Sequence, residues 1–80
     1  MFLAVRKQAF DTLTHAIRNL APGLTDAQIH QWATYALAGG DGLFVAKELG
    51  GDSVDLPALF EMHAAALFDI AERMVAEGAK

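Results

Sequence analysis

The chain has no cysteine and only two prolines. Without thiols there is no disulfide framework to staple a small fold and no thiolate for nucleophilic or metal chemistry, which suits a cytoplasmic protein. Basic side chains are scarce as well. Arg6, Lys7, Arg18, Lys47, Arg73 and Lys80 are scattered, and the whole interval from Asn19 to Ala46 holds no Lys or Arg. Phosphate backbones are bound by clustered cations, so a net charge of −4 and a pI near 5.1 argue against a nucleic-acid partner for this chain. Long apolar runs are missing too. Nothing nears the roughly 18 residues of a membrane span. The opening Met1-Phe2-Leu3-Ala4-Val5 is followed at once by Arg6 and Lys7, the reverse order of a secretory leader. No membrane is expected as a partner.

What remains is apolar. Of the 80 residues, 54% are hydrophobic and only 20% charged. A chain of this length allows one domain, residues 1–80, and hides only about 60% of the surface its unfolded form exposes. The surplus of greasy surface predicts an oligomer, or a piece of something larger.

Three helices and two short turns account for the pattern, with no internal repeat, linker or strand-like alternation. The first helix is predicted from about Phe2 to Leu20: Leu3, Phe10 and Ile17 recur at sevens, with Leu13 and Leu20 interleaved. Ala21-Pro22-Gly23 ends it. Thr25-Asp26-Ala27-Gln28 then fits a capping box, flanked by Leu24 and Ile29 as a hydrophobic staple. The second helix runs from there to Leu49 through Ile29, Trp32, Ala33, Ala36, Leu37, Gly40, Leu43 and Phe44, and Gly50-Gly51 stops it. Asp55 is the next N-cap, with Pro57 in the first turn. The last helix, about Leu56 to Ala76, places Leu59, Phe60, His63, Leu67, Ile70, Ala71 and Met74 on one face, and Met62, Ala65, Ala66 and Phe68 widen it beyond what one neighbour covers.

Gly39, Gly40 and Gly42 interrupt the second helix around Asp41. A helix-interior glycine costs roughly 1 kcal/mol against alanine, so three of them point to a close approach. The neighbour is either the chain's own last helix or a second copy of the molecule.

Catalytic chemistry has little to stand on. His15, His30 and His63 fall on three different helices, and no pair has the i, i+4 spacing of a helical metal site. Asp11 and His15 are spaced to form a surface ion pair. His63, among Phe60, Met62 and Leu67, reads as a core or interface histidine before a ligand or a pH sensor. None of Thr12, Thr14, Thr25, Thr34, Tyr35 and Ser53 comes with a histidine and carboxylate to activate it. The glycines lack the lysine and preceding strand of a phosphate loop. A helix-turn-helix is excluded by the want of a basic recognition helix. No enzyme and no cofactor are expected.

Leu37-Ala38-Gly39-Gly40-Asp41-Gly42-Leu43-Phe44, then Val54-Asp55-Leu56-Pro57-Ala58-Leu59 leading into an Ala- and Leu-rich helix, resembles the C-terminal end of TetR-type transcriptional regulators. The Asp41-Gly42 and Asp55-Leu56 pairs and Leu24-Thr25-Asp26 carry the likeness over about the last 60 residues. The resemblance implies that the second and third helices pair with their copies in a second subunit as a four-helix bundle, while the first helix helps wall an effector pocket. The family's basic helix-turn-helix head is not in this sequence, as expected of a piece of a longer regulator or of a stand-alone relative with no operator to bind; the alternative is a free-standing all-α homodimeric interaction module of unrelated origin.

Both readings place small residues at the closest crossing and aromatics beside it. The expected homodimer interface is Gly39, Gly40, Leu43, Phe44, Phe60, His63, Ala64, Leu67, Phe68 and Ala71. Phe10, Leu13, Ile17, Trp32 and Tyr35 are the candidates for a pocket taking a small apolar or aromatic ligand, with the indole N–H and the phenol as polar handles.

Overall fold

The computed structural model describes residues 2–78, with side-chain surroundings for residues 4–77, so Leu3 of the first apolar stripe lies outside the described side chains. Helix α1 spans Phe2–Leu20, α2 spans Asp26–Gly50 and α3 spans Leu56–Gly78, with a single 3-10 turn at Gly51–Ser53 before α3. No strand occurs among the described residues, and the chain is all-α.

Local chemistry sets each boundary. At the start of α2 the Gln28 amide donates to the Thr25 hydroxyl (3.1 Å) and the Thr25 amide donates to Gln28 Oε1 (2.9 Å), a complete capping box. Leu24 and Ile29, expected to staple that entry, are both buried. At the start of α3 the Ala58 amide donates to the Asp55 carboxylate (3.1 Å). The turn between α2 and α3 is closed by Lys47, whose ammonium donates to the carbonyls of Gly51 (2.9 Å) and Val54 (3.0 Å). Gly51 sits there at φ 57°, a conformation that favours glycine.

The middle helix is α2, and α1 and α3 each pack against it. Both run antiparallel to it. Along α1, Arg6 pairs with Asp41 and Arg18 with Asp26 at 2.9 Å, so the two chain directions oppose. Along α3, Phe60 meets Phe44 while the Trp32 indole N–H donates to the Leu67 carbonyl at 2.9 Å. The Cα envelope measures 44 × 28 × 15 Å.

The core is confined to one end of the molecule. Ile17, Ala21, Leu24, Ile29, Trp32, Ala33 and Ala71 form the buried cluster, with Phe10, Leu13, Leu67, Ile70 and Met74 packed against it. From Leu37 to Ile70 no residue is buried. The far half of the α2–α3 hairpin has helices but no interior.

The surface reflects this. The chain exposes 5793 Å², against about 4,700 Å² for a compact monomer of its mass. Its radius of gyration is 14.0 Å, where about 11.6 Å is usual for 80 residues.

Candidate association interface

Gly39, Gly40 and Gly42 have different surroundings. A Cβ at Gly39 would collide with the imidazole of His63, which lies directly over it. The Nε2–H of that ring donates to the Ala36 carbonyl (2.9 Å), and its flank meets the Tyr35 ring at 5.9 Å between centroids. Gly39 therefore answers to the chain's own last helix. At Gly40 an added Cβ would make only an ordinary 3.9 Å contact with Phe60, and at Gly42 it would meet nothing within 4 Å.

Above Gly40 the three helices leave an apolar groove of about 340 Å³. Its floor is Ala36, Leu37, Gly40, Asp41 and Phe44 of α2; Phe60, His63, Ala64 and Leu67 of α3 form one wall and Leu13 of α1 the other. Phe44 and Phe60 close one end edge to face at 5.4 Å, and Phe44 keeps 56% of its surface exposed. Asp41 is the only carboxylate in the lining, and Arg6 pairs with it from α1. The groove thus carries a neutralised charge rather than a bare one.

Toward the other end, a second cleft of about 370 Å³ lies between α1 and α3, lined by Ile17, Leu20, Ala21, Phe68, Ala71, Glu72 and Val75. Leu20 and Phe68 are 66% and 57% exposed. Along α3, Ala64 and Leu67 at the edge of the groove are followed at once by Phe68 and Ala71 of the cleft. Together the two make one apolar trough.

Most of the expected interface residues fall on this trough. Gly40, Phe44, Phe60, His63, Ala64 and Leu67 line the groove, and Phe68 and Ala71 line the cleft. Gly39 is covered by His63, and Leu43 is half-buried outside both linings. Of the expected effector residues, Ile17 and Trp32 belong to the buried cluster, Phe10 and Leu13 pack against it, and Tyr35 lies outside it. Leu13 is on the groove and Ile17 on the cleft; Phe10 packs on His30 at 5.2 Å; Tyr35 is half exposed beside His63. Trp32 is buried, and its N–H, expected as a handle for a ligand, is taken by Leu67. The expected Asp11–His15 pair gives way to Asp11 with Lys7 at 3.0 Å, one turn in the opposite direction.

Sequence reasoning missed Leu20, Ala21, Ala36, Leu37, Asp41, Glu72 and Val75 as trough residues. Leu20 and Leu37 were legible as members of apolar stripes; nothing in the spacing said which side of those stripes would stay open. Among the described residues no group of His, Asp and Glu is placed to hold a metal ion. No described helix is long and apolar enough to cross a membrane. No family model matches the chain, and no curated protein or solved structure matches it either.

Proposed function

We propose that this chain is a non-catalytic homodimerisation module, in which two copies lay their troughs together and α2 and α3 of each form a four-helix bundle. One observation carries the reading: from Leu37 to Ile70 the hairpin has no buried residue, although it includes Leu43, Phe44, Leu59, Phe60 and Leu67. The surface excess of about 1,100 Å² over a compact monomer exceeds the roughly 800 Å² that each partner gives to an interface of standard size. A second copy supplies an apolar face of the right extent.

The resemblance to TetR-type regulators leads to the same dimer, and adds a small apolar or aromatic effector and a DNA-reading head beyond these residues. Asp41 and Asp55, which carry the likeness, have local roles in this fold: one pairs with Arg6 of α1 and the other caps α3. A free-standing dimer module needs neither addition. The reading frame upstream separates the two, since a regulator requires an in-frame basic helix-turn-helix.

The dimer is tested by sedimentation of the full chain with Gly40→Leu and Ala64→Glu, which place bulk and charge in the groove. Both are expected to sediment as monomers while the parent chain dimerises. A parent that stays monomeric at high concentration overturns the reading; an unchanged dimer in both variants overturns this face.

A further inference from the structure

Three ionisable side chains line the trough: Asp41 and His63 in the groove and Glu72 in the cleft. Of these types only histidine ordinarily changes charge between pH 5 and 8. The two nitrogens of the His63 ring are differently placed. Nε2 carries a proton, which it donates to the Ala36 carbonyl. Nδ1 has no hydrogen-bond partner among the described residues, and since no buried side-chain nitrogen there is left without one, Nδ1 keeps access to water.

The surroundings offer nothing to a second charge. On α3 the residues one turn away, Leu59, Phe60, Ala66 and Leu67, are uncharged, and Glu61 is exposed outside the groove lining. From α2 the ring faces the Tyr35 phenol, and the groove's one carboxylate, Asp41, is paired with Arg6 of α1. Glu72 stands nine residues further along α3, about 13 Å away by helix rise. A second copy laid trough to trough brings the same set, its own Asp41 likewise paired.

Covering the groove therefore treats the two forms of His63 differently. The neutral ring gives up water at one bare acceptor. The protonated ring carries a second N–H, at Nδ1, together with a full charge, and in a sealed apolar groove neither finds a partner. We infer that His63 switches the trough contact: two copies associate while this imidazole is neutral and separate as it takes up a proton. This rests on the dimer proposed above and gives that dimer a regulation. The sign follows from linkage. Separated chains bind more protons than the dimer, so association is strongest above neutral pH and weakens as acidity enters the range where imidazoles charge, near pH 6.5. Bulk charge works in the opposite direction. The chain carries −4 at pH 7 and approaches neutrality at its pI of about 5.1, so repulsion between copies fades on acidification.

The experiment is sedimentation equilibrium of the full chain at pH 7.5 and 5.5, with His63→Gln and His30→Gln beside it and far-UV circular dichroism to establish folding at both. The parent Kd is expected to rise about tenfold or more on acidification, since two rings take up protons per dimer. His63→Gln keeps an N–H for the Ala36 carbonyl and cannot become charged, so its Kd is expected to stay level or fall. His30 is exposed and packed on Phe10 outside the trough, and its variant is expected to follow the parent. If His63→Gln does not fold, NMR of the parent decides. The His63 ring signals are expected to change at lower pH in a concentrated sample than in a dilute one, and a change at the same pH in both overturns the switch. A parent Kd equal at both pH values, or a glutamine variant that weakens as the parent does, overturns the switch and leaves the dimer standing. So does a dimer that tightens in acid, the mark of a carboxylate of the second copy, Glu72 first among them, meeting the ring. A parent that is monomeric at pH 7.5 and high concentration overturns dimer and switch together.

Discussion

Gly39 and Trp32 show how single side chains fix the register of α3 on α2. Gly39→Ala is expected to destabilise the chain by about 1–3 kcal/mol, because the new methyl must displace the His63 ring from its bond to the Ala36 carbonyl. Urea unfolding of the dilute chain measures this; an unchanged midpoint would mean the imidazole swings aside freely. Trp32→Phe removes the N–H donated to Leu67 and some buried volume, with an expected loss of about 1–3 kcal/mol by the same measurement. The sequence marked the glycines as places of close approach and His63 as a packed histidine. It could not join them. A residue's angular position on its own helix is legible from spacing, whereas the sliding register between two helices is set by interlocking side chains far apart in sequence.

At the scale of the elements the sequence was most legible, because helix ends are decided within a few residues. Thr25 and Asp55 both cap as expected. Thr25→Ala is expected to lower stability by about 1 kcal/mol, read from thermal unfolding by circular dichroism, with Thr25→Ser retaining most of it. Ion pairing was harder to foresee. Asp11 had Lys7 and His15 both four residues away, and the helix alone did not choose between them. The Lys47 clamp on the Gly51 and Val54 carbonyls was invisible as well, since it depends on the shape of a turn rather than on a periodic pattern. Lys47→Met keeps the aliphatic stem and loses both bonds. It is expected to destabilise by about 1–2 kcal/mol, because hydrogen bonds from a charged donor are among the stronger ones.

For the whole molecule, composition announced the excess of apolar surface, and the structure shows where it lies: in the trough and hardly at all in an interior. The expected effector residues illustrate what composition leaves out. Phe10, Leu13, Ile17 and Trp32 meet in and around one packed cluster, and the Trp32 N–H is taken by the Leu67 carbonyl. If copies of the chain cover one another, the Tm must rise with protein concentration, as for any fold stabilised by self-binding. A Tm independent of concentration would contradict the interface argued above. So small an interior has a consequence for isotope exchange. Among the described residues Ile17 is the only large side chain under 2% exposed, so a lone molecule offers deuterium short routes to the amides of all three helices. Protection between residues 37 and 70 should therefore track how crowded the sample is, while the amides around Ile17 and Ala33 stay slow at any dilution that leaves the chain folded.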